Sequence, residues 1–104
     1  MSKFEDELAF QIKAAHLPEP KRQYKFHEDR QWKADFAWTE HQYRIILEVD
    51  GGVFSGGRHT RGAEYTKDRK RDNEATLRGW TVYRVTTGMV TDGTALQLLE
   101  EIFK

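Results

Sequence analysis

The chain has 104 residues, 17 basic and 17 acidic side chains, a formal net charge of zero and no cysteine. That length fits one domain with a modest core, and the absence of cysteine excludes disulfides and thiolate metal sites. The hydrophobic fraction is 38% against 33% charged, yet 12% aromatics argue against disorder.

No apolar run approaches the roughly 18 residues of a membrane span, and no signal-peptide pattern opens the chain. A soluble cytoplasmic protein with no membrane partner is the expectation. The neutral balance does not advertise a polyanion as partner, but the charges are unevenly placed. Glu5, Asp6 and Glu7 open the chain and Glu100 and Glu101 close it, while "KDRKR" (67–71) follows Arg58 and Arg61 in the middle. Such a segment is either a local basic surface or a solvated helix face.

Phe4, Leu8 and Ile12 recur at helical spacing, so residues 3–15 are predicted as an amphipathic helix, ended by "LPEP" (17–20). "QYKFH" (23–27) and "KADFAW" (33–38) alternate as strands, with Ala34, Phe36 and Trp38 on one face and Asp35 on the other. "YRIILEV" (43–49) is the most apolar run and the predicted central strand; "TEHQ" (39–42) is short enough for a hairpin. Gly51, Gly52, Gly56 and Gly57 punctuate the loop that follows. Thr60 is the candidate N-cap of a second helix over 61–78, and Gly79 falls at its C′ position. "WTVYRVT" (80–86) is a fourth strand, reached by a parallel crossover. Thr91 or Asp92 caps a last helix whose stripe is Ala95, Leu98, Leu99 and Ile102. The order α-β-β-β-α-β-α predicts an α+β fold (α/β in looser usage): a four-stranded mixed sheet with helices packed against it.

Within that frame, side chains two apart on a strand share a face, so Glu48 and Asp50 project together. If Asp35 pairs with Glu48 across the hairpin, two carboxylates converge. Like charges repel there unless a hard divalent cation such as Mg²⁺ joins them. Acids at a strand end also serve merely to solubilise an edge. Glu5 either approaches the same end of the sheet or complements the dipole of the first helix. On the second helix Asp68 and Arg71 are i, i+3 neighbours, and Lys67 and Arg71 are an i, i+4 pair; Arg71 either serves the acidic site or forms a structural salt bridge with Asp68 or Asp72. Trp38 and Trp80 are expected in the core, whereas Trp32 either flanks the sheet or stacks on a base. His16, His27 and His41 are expected at the surface.

The same order, with "FEDEL" (4–8), "WKADFAW" (32–38), "ILEVDGG" (46–52) and "GWTVYR" (79–84), resembles the PD-(D/E)XK nuclease superfamily. Within it the pattern is similar to the small Vsr-like, very-short-patch-repair-type endonucleases and related phage or prophage proteins. The resemblance spans roughly residues 4–103 and implies a single restriction-endonuclease-like domain with an αβββαβ core. It implies an Mg²⁺-dependent endodeoxyribonuclease, with Mn²⁺ as substitute and DNA as partner. Asp35 then matches the first metal-binding acid and Glu48 the acid of the (D/E)-X-K motif. Asp50 stands where the lysine belongs, as a third ligand or an orienting acid. His59, or a cation such as Arg58, Lys67 or Arg71, takes over the role of the missing lysine; otherwise His59 only hydrogen-bonds within its loop. Arg58, Arg61, Lys67 and Arg71 hold the DNA backbone, with Glu5 and Asp68 as additional site residues. Recognition of a DNA shape, or action as a homodimer or with a protein partner, follows from the small size. A non-catalytic DNA-binding module on the same frame, or a small protein–protein interaction domain, is the alternative.

Overall fold

The computed structural model describes residues 2–51 and 58–104, with 58–61 and 64 described as helix without their side chains. Helix α1 (Lys3–Ala14) starts at Ser2, whose Oγ accepts the Glu5 N–H at 3.1 Å; Glu5 and Asp6 complement the positive end of the first turn. Its inner face buries Leu8 and Ile12. The helix closes before the prolines. His16 takes φ +58°, its N–H donates to Lys13 O at 3.0 Å, and the Leu17 N–H donates to Ile12 O at 3.2 Å. This paired closure is a Schellman motif, so the prolines follow a helix already ended.

Strands β1 (Lys21–Lys25), β2 (Lys33–Trp38), β3 (Ile45–Asp50) and β4 (Thr81–Thr86) form one sheet in the order β1-β2-β3-β4. The first two pairings are antiparallel and the last is parallel, as the helical crossover α2 (Arg58–Leu77) requires. Helix α2 begins at Arg58, so Thr60 lies inside it and is not its cap. At its far end Gly79 takes φ +88° at the predicted C′ position, with the Gly79 N–H on Thr76 O and the Trp80 N–H on Ala75 O. After β4 come two helices instead of one. Helix α3 (Thr87–Asp92) starts on a capping box at Thr86, Gly93 breaks it at φ +89°, and α4 (Thr94–Ile102) follows. Asp92 still serves the start of α4, where its carboxylate accepts the Thr94 N–H at 2.9 Å.

The sheet divides two apolar layers. Leu8, Ile12, Phe36, Trp38, Ile45, Leu47, Val85, Val90, Ala95 and Leu99 fill one side, beneath α1, α3 and α4. Phe26, Ala34, Ala37, Ile46, Ala75 and Trp80 fill the other, beneath α2. Trp38 and Trp80 are core residues as expected; the Trp38 indole N–H donates to Pro18 O at 2.8 Å, and the Arg44 guanidinium covers the Trp80 ring. Trp32 is packed against Phe26 and edge-on to His27.

Ala34 packs with the α2 layer while Phe36 packs with the other, so the predicted alternation of β2 breaks at Asp35. The cause lies opposite on β1. Gln23 sits between the registered pairs Arg22↔Phe36 and Tyr24↔Ala34 and adopts φ +52°, a left-handed conformation costing about 1 kcal/mol or more in a non-glycine residue.

His27 is not a surface residue. It is 7% exposed, its Nδ1 accepts the Asp29 and Arg30 N–H groups at 3.0 Å, and its Nε2 lies 3.1 Å from Glu74 Oε1. With Nδ1 occupied as an acceptor, Nε2 carries the proton and donates to Glu74. His27→Ala will strip both amides of their partner and cost about 2–3 kcal/mol of unfolding free energy. A urea denaturation midpoint equal to wild type would contradict that role. Among the described residues no helix is long and apolar enough to cross a membrane.

Candidate active site

The acids expected to meet do sit on neighbouring strands. The β2–β3 ladder runs Trp38↔Ile45, Ala37↔Ile46 and Phe36↔Leu47, which puts Asp35 level with Glu48. The ladder stops there because Asp35 substitutes its side chain for backbone: its Oδ2 accepts the Val49 N–H at 2.8 Å. That bond fixes the carboxylate in the mouth between the two strands.

Glu48 alternates with Ile46 and so faces α2, where it is only 4% exposed. Burial pushes its carboxyl up from 4.5 to about 8; the Arg71 charge opposes the rise and the Asp35 charge adds to it. Arg71 Nη2 stands 3.8 Å from Glu48 Oε2 and 3.5 Å from Asp68 Oδ1, while its buried Nε finds no hydrogen-bond acceptor among the described residues. The guanidinium thus pairs with Asp68 and offsets the Glu48 charge from slightly farther away.

Glu5 does reach this end of the sheet. The Gln23 amide bridges the two acids, donating to Glu5 Oε1 at 2.9 Å and to Asp35 Oδ1 at 3.4 Å. Partial burial raises the Glu5 carboxyl, and the neighbouring Asp35 charge raises it further.

Asp50 shares the Glu48 face but is taken by another partner. Arg84, across the parallel ladder from Glu48, places Nη1 2.6 Å from Asp50 Oδ1. The same guanidinium grips Asp72 with two bonds of 3.0 and 2.8 Å, and Asp68 lies 3.7 Å away. Burial raises the Asp50 carboxyl, and Arg84 holds that rise in check. Asp68 therefore stands between two guanidiniums, those of Arg71 and Arg84. Lys67 is exposed on the outer face of α2. The side chains of Arg58, His59 and Arg61, each assigned a role from the sequence, lie outside the described residues, as do Gly52, Gly56 and Gly57.

The sequence marked Asp72 only as a salt-bridge partner for Arg71, whereas the structure pairs it with Arg84 and Arg69; Arg84 had no role beyond closing "GWTVYR". The signal was available for Arg84: a basic residue two positions from Val82 in a half-buried strand needs an acidic partner. Nothing local marked Gln23.

Among the described residues no three His, Cys, Asp or Glu side chains group to hold an ion. Asp35 and Glu48 offer a carboxylate pair, and one or two carboxylates completed by water and substrate phosphate are the donors Mg²⁺ takes. The buried Glu48 charge, made costlier by Asp35, is what a cation relieves. The residues present fit such an ion.

No family model matches the sequence, and no curated protein is significantly similar to it. Among solved structures the fold is similar to the catalytic domain of the homing endonuclease I-Bth0305I. The TM-score is 0.67 at 15% identity, covering 98% of this chain and 94% of that one. At that identity the likeness is one of fold: an α+β domain with a four-stranded mixed sheet flanked by helices.

Proposed function

We propose that the protein is a metal-dependent DNA endonuclease that hydrolyses phosphodiester bonds, nicking or cutting DNA selected by its shape. The observation that carries this reading is the coupling of Asp35 to a buried Glu48 on adjacent strands of a nuclease-type fold. Asp35 and Glu48 would hold Mg²⁺, with Mn²⁺ as a substitute. The ion would neutralise the scissile phosphate and ease ionisation of the attacking water. Asp50, braced by Arg84, orients from the same face instead of reaching inward on its own. Arg71 is the electrostatic clamp for charge that develops on the phosphate, and as an arginine it does not exchange a proton. His59 serves proton transfer or phosphate contact. Arg58, Arg61 and Lys67 hold the DNA backbone, which makes binding salt-dependent and indifferent to sequence. A homodimer or a protein partner is compatible with this assignment.

The aspartate in place of the motif lysine favours one other reading, a DNA-binding module that does not cut. Incubation with supercoiled, linear, mismatched and branched DNA, with and without Mg²⁺, separates the two. An enzyme converts plasmid only with metal; a binder retards DNA in a gel and leaves it intact. Asp35→Asn is expected to lower the cleavage rate at least ~100-fold while gel retardation persists. Wild-type cleavage by that variant would remove Asp35 from the site.

A further inference from the structure

We propose that Gln23 is a positioning residue that sets the orientation of Asp35 and the approach of Glu5. The inference rests on the nuclease reading above and adds to it a residue to which the sequence assigned nothing. Three described non-glycine residues have positive φ: His16, Gln23 and Arg44. His16 closes a helix and Arg44 precedes β3, places where a left-handed residue makes a turn. Gln23 is in the middle of β1, opposite Asp35, where regular pairing would serve a strand better.

What the strained backbone achieves is visible in the side chains. The carboxamide reaches two acids at once, Glu5 Oε1 at 2.9 Å from α1 and Asp35 Oδ1 at 3.4 Å from β2. The other Asp35 oxygen is held by the Val49 N–H at 2.8 Å. Both oxygens of Asp35 are therefore oriented, and each carboxylate oxygen retains a further lone pair for a cation. An amide suits the task better than a charged group. A lysine or arginine here would compete with a bound cation, and a third acid would add repulsion. Backbone strain concentrates where the surrounding structure holds it for function, and this strain falls on the residue that joins two acids.

The test compares wild type with Q23G, which accepts φ +52° freely but lacks the amide, and with Q23M, which keeps the length without a donor. Each preparation is assayed for fold by circular dichroism, for Mn²⁺ binding by electron paramagnetic resonance, and for plasmid cleavage kinetics. Both variants are expected to fold, to bind Mn²⁺ more weakly, and to lose about 10-fold or more in kcat with KM for DNA unchanged. In the double variant E5Q/Q23G the loss should be smaller than the product of the single losses, because Gln23 acts partly through Glu5. A wild type that cuts, with a folded Q23G or Q23M matching it in Mn²⁺ affinity and kcat, overturns the role of Gln23 and leaves the nuclease reading standing. If both variants lose DNA affinity in step with their fold, Gln23 is structural only and the proposal fails. A wild type that neither binds Mn²⁺ nor cuts overturns the nuclease reading and this inference with it.

Discussion

Glu48→Gln will make the metal-free protein more stable at alkaline pH while reducing cleavage to background. Burial holds the Glu48 carboxyl at about 8 in the folded chain against an ordinary 4.5. Between those values the folded protein keeps a proton that the unfolded chain has released. Its stabilising contribution is therefore fully present below about 4.5 and is lost as pH rises through about 8. The loss runs at about 1.4 kcal/mol per pH unit where the two states differ by a whole proton, so it amounts to a few kcal/mol. Glutamine has no proton to lose. Urea denaturation in the presence of EDTA should show the two proteins alike near pH 4.5 and the variant ahead by up to about 5 kcal/mol at pH 8.5. On the proposed nuclease reading, an acid kept where it is costly is an acid available to a cation. Millimolar Mg²⁺ should accordingly stabilise wild type, release protons on binding, and leave the variant unmoved. Parallel pH profiles for the two proteins would show that Glu48 is an ordinary surface acid.

The elements that could be read from the sequence are those whose cause is local. β-branched and apolar residues from Ile45 to Val49 mark a central strand wherever they occur, and a glycine following Leu77 and Arg78 marks the end of a helix in any context. The level pairing of Asp35 with Glu48 follows from the hairpin, once both strands are placed. What the sequence hid depends on partners distant along the chain. His27 is buried because the 28–30 backbone folds onto Nδ1 and because Glu74, 47 positions away, receives Nε2. The left-handed Gln23 reverses the facing of Ala34 relative to Phe36, and no periodicity in β1 announces it. Asp50 was legible as a partner of Glu48 by parity alone, but the competing claim of Arg84 comes from β4, 34 residues later. Helix α3 is six residues with a glycine at its second position, too short for a periodic signal.

That competing claim makes Arg84 the residue whose loss is expected to cost most in stability. Its side chain is 14% exposed and is the common partner of acids from β3 and α2: Asp50 at 2.6 Å, Asp72 at 2.8 Å and Asp68 at 3.7 Å. Removing the guanidinium leaves three partly buried carboxylates with one another and with Arg69 and Arg71, which already pair with Asp72 and Asp68. Breaking a buried pair from one side costs about 3–5 kcal/mol, because the remaining charge stays desolvated. Arg84→Met should therefore lower the melting temperature by roughly 15 °C or more for a chain of this size. The deficit should deepen with pH. The Asp50 carboxyl, already raised by burial and restrained by Arg84, rises further in the variant, and a raised acid loses its stabilising contribution as pH climbs through its folded value. Arg84→Lys keeps the charge but not the two-pronged grip on Asp72, so it should fall between wild type and Arg84→Met. The combination R84M/D72N should regain part of the loss, since one of the stranded charges is gone. Equal melting curves for Arg84→Met and wild type would mean that the acids are satisfied by water and that the network does not brace α2 over β3. In that case Asp50 would be free to turn inward, and the division of labour between a braced Asp50 and the Asp35–Glu48 pair would have to be given up.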